Sequence, residues 1–182
     1  SINKDFERRA LYLLFPKPIS RGQYVLGKYL GMILLLLTTL IILGGLFLIG
    51  AVLTDRTVVL GSLMNLGYAF LEVSFLISLA VLFSTFTASL NAALYTIALF
   101  IIGHSLLTLK NYVAQVGTSV SRGLVDAAYY LLPNLEKFDI RQAVLYGIHI
   151  PAAQVWWTVV YWLVYTGLVL FLSILVIRKQ EV

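Results

Sequence analysis

The sequence has 182 residues, of which 60% are hydrophobic and 12% are charged, and its formal net charge is +5. The mean hydropathy of +0.94 and the low charge exclude an ordinary soluble domain, in which about 25% of residues are charged. The chain has no cysteine, which excludes disulfides and thiolate metal sites. The composition therefore predicts an all-α integral membrane protein.

The first stretch of the chain, residues 1–24, is predicted to form a cytoplasmic amphipathic elbow. Apolar residues recur there at helical spacing, namely Phe6, Ala10, Leu13 and Leu14. Pro16 and Pro18 end this helix, because proline lacks an amide donor and restricts the residue before it. Ser20 then has the position of an N-cap, with Gln23 three residues later as its capping-box partner. Such a segment is typical of a helix that lies on the lipid surface.

Four later stretches are long and apolar enough to cross a membrane, since a span needs about 20 apolar residues. They cover residues 25–53, 66–86, 92–109 and 155–177. Together they predict a transmembrane domain over residues 25–177, with an outer loop at residues 111–154 and a cytoplasmic tail at residues 178–182.

The distribution of Lys and Arg predicts the orientation of these spans. Eight of these residues flank the side that holds both chain ends, and five lie on the other side. Because positive residues near span ends are enriched on the cytoplasmic side, we expect both ends of the chain to be cytoplasmic. The predicted location is the cell's inner (cytoplasmic) membrane, as a multi-pass protein.

The predicted outer loop has helical patterns of its own. Residues 124–132 are almost entirely apolar and predict a re-entrant or interfacial helix, and residues 135–141 form a charged amphipathic segment. The notable residues of this region are Asp126, Pro133, Asn134, Glu136, Lys137 and Arg141. The sequence thus predicts a short helical extracytoplasmic region before the last span. That span begins with an aromatic cluster typical of a membrane interface, namely Trp156, Trp157, Tyr161 and Trp162.

Glu72 is an acidic residue inside the second predicted span, about a turn and a half from its outer end. A charge at the centre of a bilayer costs about 2.5–3.5 kcal/mol on insertion scales, so such residues face a bundle interior or a water path. Two interpretations stay open: Glu72 lines a translocation route, or it forms a structural hydrogen bond to a neighbouring helix.

Gly22, Gly27 and Lys28 match the first half of a phosphate-binding loop, but the sequence argues against nucleotide binding there. The next residue is Tyr29 instead of the Ser or Thr that would hold magnesium, and no strand precedes the motif. We expect Lys28 to mark the cytoplasmic interface, with its stem in lipid and its ammonium in water. His104 and His149 have no ligand-type partner at metal-binding spacing, so we expect no metal site and no catalytic site.

Two motifs resemble one family of transporters. The stretch from Glu7 to Lys28 resembles the cytoplasmic segment of type-two ABC exporter permeases, with its acidic residue, paired leucines, Lys-Pro-Ile-Ser-Arg elbow and Gly-Lys before the next span. The stretch from Leu132 to Arg141 resembles the outer loop before the last span of the same permeases. The resemblance covers essentially the whole chain and is nearest to the group associated with multicopper-enzyme maturation.

The resemblance implies a role as the transmembrane permease subunit of an ATP-binding cassette exporter. It implies an elbow that docks on a separate ATPase subunit, which binds ATP and Mg, while this chain binds no cofactor and is not an enzyme. The implied docking residues are Glu7, Arg8, Arg9, Leu13, Leu14, Pro16, Lys17, Pro18, Ser20 and Arg21. The implied outer-loop helices are short and re-entrant. A second permease copy is expected, in a homodimer or a heterodimer.

Permeases of this kind usually have six spans, so we expect two further spans before the elbow; a half-size variant with four spans is the alternative. A different function is also open, that of a non-transporting integral membrane subunit that docks a soluble partner in a larger complex. A membrane-embedded enzyme is the least favoured, because paired carboxylates and histidine clusters are missing from the sequence. Membrane lipid is an expected partner and nucleic acid is not.

Overall fold

The computed structural model describes residues 20–54 and 59–179. This part of the chain forms six α-helices and one 3-10 helix, and it contains no strand. The helices are α1 (Arg21–Thr54), α2 (Val59–Ser84), α3 (Ser89–Val116), α4 (Ser119–Leu131), the 3-10 helix (Leu135–Phe138), α5 (Arg141–Leu145) and α6 (Ala152–Lys179). The prediction of an all-α protein is confirmed.

Four helices are long and apolar enough to cross a membrane, as predicted. The candidate spans are Arg21–Leu53, Gly61–Ser84, Ser89–Val116 and Ala152–Arg178. Most of them extend beyond the predicted limits, because hydropathy reports the lipid-facing part of a helix, whereas the backbone stays helical through polar residues such as Lys110 and Asn111. The second helix begins at Val59 instead of residue 66 and ends at Ser84 instead of residue 86.

The helices define two ends of the bundle. We refer to the end where α1 begins and α2 and α6 end as the base, and to the opposite end as the loop end. α1 starts at the base with a reciprocal capping box: the Gln23 amide N–H donates to Ser20 Oγ over 3.3 Å, and the Ser20 N–H donates to Gln23 Oε1 over 2.9 Å. The predicted cap is therefore confirmed. Ile19 and the elbow residues before it lie outside the described residues.

Contacts between helices fix the packing of the bundle. At the base, Val25 and Tyr29 of α1 pack with Val81 of α2 and Leu170 of α6. Farther from the base, the indole N–H of Trp162 in α6 donates to Ser74 Oγ in α2 over 2.8 Å. α2 thus contacts both α1 and α6, and it runs parallel to α6 from the loop end to the base.

Candidate functional site

The chain folds back toward the bundle after α3. Lys110 Nζ in α3 lies 3.1 Å from Asp126 Oδ1 in α4, and its ammonium lies 4.2 Å from the centre of the Tyr129 ring. Arg122 Nε donates to the Val113 carbonyl over 3.4 Å. These contacts pair later residues of α4 with earlier residues of α3. α4 therefore runs antiparallel to α3, from the loop end toward the middle of the bundle.

Residues 132–141, which we term the inserted segment, follow α4 and enter the bundle. Their apolar side chains are buried: Leu135 is 0% exposed, Phe138 2% and Ile140 3%. Leu135 and Phe138 join a core cluster with Phe75 of α2 and Val169 of α6. The Phe75 and Phe138 rings stack with centroids 6.5 Å apart. Since Phe75 lies about 24 Å along α2 from Val59 at 1.5 Å per residue, the inserted segment reaches the middle of the spans.

Two glycines provide the space for the inserted segment and for the helix that follows it. A Cβ added to Gly103, midway along α3, would lie 2.8 Å from Leu135 Cγ and 3.0 Å from the Pro133 carbonyl oxygen. A Cβ added to Gly61, near the start of α2, would lie 2.7 Å from Val144 Cγ1 in α5. Real Cβ atoms do not approach other atoms so closely. Because glycine has no side chain, Gly103 accommodates the inserted segment and Gly61 accommodates Val144 of α5.

Hydrogen bonds hold the turn at the head of the segment. The Asn134 amide N–H donates to the Tyr161 hydroxyl over 2.8 Å, and the Asn134 side chain accepts from the Glu136 N–H over 3.0 Å. The Lys137 ammonium lies 4.2 Å from the centre of the Tyr161 ring, in a cation–π contact. Tyr161 therefore contacts the segment with both its hydroxyl and its ring.

An ion pair between Asp139 and Arg141 lies at the end of the inserted segment. Asp139 Oδ2 accepts from an Arg141 terminal nitrogen over 2.8 Å, and Oδ1 accepts from Arg141 Nε over 3.0 Å. The hydrogen bond from Arg141 lowers the pKa of the Asp139 carboxyl, and the same contact raises the pKa of Arg141. The bidentate geometry is the strong form of an Arg–carboxylate pair.

A second polar pair lies between α2 and α3, beside the inserted segment. Glu72 Oε1 is 3.2 Å from His104 Nε2, and His104 Nδ1 is 3.2 Å from the Phe100 carbonyl. Nε2 has no well-aligned hydrogen bond, so the contact with Glu72 is an electrostatic one. A neutral His104 that donates from Nδ1 to the Phe100 carbonyl has a lone pair on Nε2. Nε2 and Glu72 Oε1 therefore attract each other only if one of the two groups carries an additional proton. Glu72 also interacts electrostatically with Arg141 and Asp139. Four ionisable groups, Glu72, His104, Asp139 and Arg141, therefore lie near the last residues of the inserted segment.

Comparison with known proteins identifies the family. The family model described as "ABC-2 family transporter protein" matches residues 1–182. The chain belongs to the ABC-2 transporter family. Together with the four apolar helices, this makes it a multi-pass membrane protein and a permease of an ABC transporter. No curated protein and no solved structure matches the chain. The match does not address the multicopper-maturation group, so that part of the resemblance stays a prediction.

The ABC-2 permease brings most of the predicted outer-loop residues together. Pro133, Asn134, Glu136, Lys137 and Arg141 all belong to the inserted segment, whereas Asp126 lies apart on α4 and pairs with Lys110. Of the predicted docking residues, Ser20 and Arg21 are described, and the others lie outside the described residues. Ser20 caps α1, and an Arg21 guanidinium nitrogen donates to the Arg178 carbonyl over 3.1 Å at the end of α6.

Several contacts between distant residues of this ABC-2 permease were not predicted. Sequence spacing gave His104 no acidic partner, because Glu72 lies on a different helix. Glu72 itself lies midway along α2, not near its outer end, because the helix begins at Val59. The interface role expected for Tyr161 and Trp162 is wrong in detail, since both face neighbouring segments. Trp156 and Trp157 are exposed as an interfacial belt requires.

The prediction for Lys28 also needs correction. Its ammonium donates a 2.8 Å hydrogen bond to Ser84 Oγ at the end of α2, where water was expected. The sequence carries no signal for this contact, because the two residues are brought together only by the antiparallel packing of α1 and α2.

Proposed function

We propose that this chain is the transmembrane subunit of an ATP-binding cassette exporter, which couples ATP hydrolysis by a separate ATPase subunit to substrate movement out of the cell. ATP and Mg are bound by that subunit, and this chain binds no cofactor and carries out no chemistry. Membership of the ABC-2 family supports a permease that partners an ATPase and a second permease copy.

The inserted segment is the observation that carries the proposal. An exporter needs a barrier on the far side of its transport route that opens when the spans move. Residues 132–141 fill the space between α2, α3 and α6 from the loop end. The segment is held by a small set of contacts with three different helices, so a relative shift of those helices would release it. Such a shift is a rigid-body transition between two packed arrangements.

Contacts at the base support coupling to the elbow. The capping box fixes where α1 begins, immediately after the predicted docking residues. Arg21 joins the start of α1 to the end of α6, and Lys28 joins it to the end of α2. A displacement of the elbow would therefore act on three spans at once. The proposed orientation places the base in the cytoplasm and the inserted segment on the opposite side.

The test measures the reactivity of a single cysteine in the permease–ATPase complex. Because the chain has no native cysteine, Leu135→Cys introduces a unique thiol at a fully buried position. We expect it to be unreactive toward a maleimide without nucleotide and to react during ATP turnover. Tyr146→Cys, at a position 74% exposed, is the control and should react in both states. If the ATPase co-purifies but Leu135→Cys stays unreactive throughout, the chain is a docking subunit instead of a gated permease.

A further inference from the structure

A cavity of about 220 Å³ lies at the base of the bundle, between the start of α1 and the ends of α2 and α6. Its polar lining consists of Tyr24, Lys28, Ser84 and Thr85, and Val25 and Val81 form part of its apolar wall. The cavity thus combines one ammonium group and three hydroxyl-bearing side chains with an apolar interior. This composition matches a ligand that is anionic at one end and apolar at the other.

Lys28 is held in place at this cavity. Its ammonium donates to Ser84 Oγ over 2.8 Å, and the Ser84 hydroxyl donates in turn to the Val81 carbonyl over 2.8 Å. An ammonium group has three donors, and Ser84 accepts from one of them. The lysine is therefore positioned by a hydrogen-bond chain and keeps donor capacity for a second acceptor.

The charge distribution favours an anion at this end. In the part of the chain that the structure describes, the base carries the cations Arg21, Lys28 and Arg178. The described carboxylates belong to the middle of α2 or to the segments between α3 and α6, and they are Glu72, Asp126, Glu136 and Asp139. No described carboxylate therefore lies at the base to neutralise Lys28.

We propose that this cavity binds the phosphate group of an anionic membrane phospholipid. Lys28 lies within the first two turns of a spanning helix, which is the depth of lipid headgroups. Farther from the base, the face of α1 that carries Lys28 presents the exposed side chains Leu35, Ile42 and Leu46, along which acyl chains can pack. Basic pockets between spanning helices are typical sites for anionic headgroups. The inference does not depend on the transport activity.

A simpler role for Lys28 must be separated from this one. Lys28 lies beside Ser84 at the C-terminus of α2. A lysine near a helix C-terminus interacts favourably with the helix dipole and the last carbonyl groups without any ligand. That role requires the charge but gives no preference among lipids. A phosphate site requires the charge and prefers anionic over zwitterionic lipid, so lipid selectivity distinguishes the two.

The experiment uses the purified full chain in a neutral detergent. Phospholipid retained from the membrane is identified by mass spectrometry, and binding of added phosphatidylglycerol or phosphatidylcholine is followed by thermal unfolding. We expect phosphatidylglycerol to be retained and to raise the melting temperature more than phosphatidylcholine does. Lys28→Gln should weaken phosphatidylglycerol binding about fivefold, the contribution of one lysine near an anionic surface. Lys28→Arg should keep the preference.

Arg122→Gln is the control, because it removes a cation at the loop end of the bundle and outside the inserted segment, and it should bind phosphatidylglycerol as the unmodified chain does. Equal responses to the two lipids, or unchanged phosphatidylglycerol binding in Lys28→Gln, would overturn the proposal. Inorganic phosphate that stabilises the chain as strongly as phosphatidylglycerol would instead assign the cavity to a free anion and overturn the lipid assignment. If Lys28→Gln fails to fold, Tyr24→Phe removes a lining hydroxyl that can donate to a phosphate and should also weaken phosphatidylglycerol binding selectively; unchanged binding would count against the site.

Discussion

The amide N–H of Asn134 and the hydroxyl of Tyr161 are joined by a 2.8 Å hydrogen bond. The two residues lie 27 positions apart in the sequence, one at the head of the inserted segment and the other on α6. The bond satisfies a backbone donor that is buried away from water, where an unpaired N–H is costly. It therefore links the stability of the segment to a single phenolic oxygen.

Removal of that oxygen should destabilise the segment. Tyr161→Phe keeps the ring but leaves the Asn134 N–H without its partner, at a cost of about 1–3 kcal/mol. We expect a lower melting temperature in detergent and faster amide exchange at Asn134. Tyr146→Phe removes a hydroxyl from an exposed tyrosine and should leave both quantities unchanged. Equal stability of the two variants would contradict the role assigned to Tyr161.

The close approach at Gly103 gives a second prediction. Gly103→Ala places a methyl group against Leu135 and the Pro133 carbonyl, and such overpacking costs about 1–3 kcal/mol. Gly67→Ala is the control, because a Cβ there meets no atom within 4 Å and alanine favours a helix by about 0.5–1 kcal/mol. The measurement is thermal unfolding of both variants.

A rescue variant makes the Gly103 prediction specific. Leu135→Ala removes the side chain that the new methyl group would meet, so it should relieve part of the cost of Gly103→Ala. If the two substitutions are simply additive, Gly103 does not act through Leu135.

Glu72 and His104 should be energetically coupled. In a double-mutant cycle of Glu72→Gln and His104→Gln, we expect a coupling energy of about 0.5–3 kcal/mol, as found for residues in direct contact. Glu72→Leu should insert in the membrane but should impair assembly or transport more than Glu72→Gln, which keeps hydrogen bonding. A coupling energy near zero, with normal behaviour of Glu72→Leu, would leave Glu72 without a role.

The orientation of the chain is tested by labelling single cysteines in intact cells with an impermeant maleimide. The positions are Ser1, Thr57, Ser89 and Ser119. The excess of Lys and Arg on the side of the chain ends predicts that Thr57→Cys and Ser119→Cys react, while Ser1→Cys and Ser89→Cys do not. The reverse pattern would place the base outside and remove the basis for docking an ATPase there.

Docking at the elbow is tested through its charges. Glu7→Lys, and separately Arg8→Ala with Arg9→Ala, should weaken retention of the ATPase subunit by about 1–3 kcal/mol if the pairs are partly desolvated. Retention on the purified permease is the measurement, and Lys137→Gln is the control. Attraction to anionic lipid alone would leave Glu7→Lys unchanged or improved, so full retention in both elbow variants would exclude this surface as the coupling site.

The features that the sequence predicted correctly are local ones. The Ser20–Gln23 capping box depends on two residues in one helical turn, so a three-residue spacing was enough to find it. The four spans depend on continuous apolar composition. The end of the helix predicted over residues 124–132 depends on Pro133, which cannot continue a helix. In each case the physical cause lies within a few consecutive residues.

The features that sequence reasoning missed depend on packing between distant segments. The carboxylate beside His104 is that of Glu72 on α2, and the hydroxyl that accepts from Lys28 is that of Ser84 at the end of the same helix. Gly103 looked like one more glycine of a membrane helix, where glycine is common. Its role required knowledge of which loop lies against it. The depth of the inserted segment could not be predicted for the same reason, since a charged sequence such as residues 135–141 is typical of a surface.

The hydrogen bond from Arg21 to the Arg178 carbonyl places the start of α1 beside the end of α6. A short flexible linker could therefore join these two turns without crossing the bundle. New chain ends could then be opened in the turn near Thr87, which is a type of site where circular permutation succeeds. A permuted chain of this kind would begin with α3 and end with α2 while it kept the contacts between these two helices.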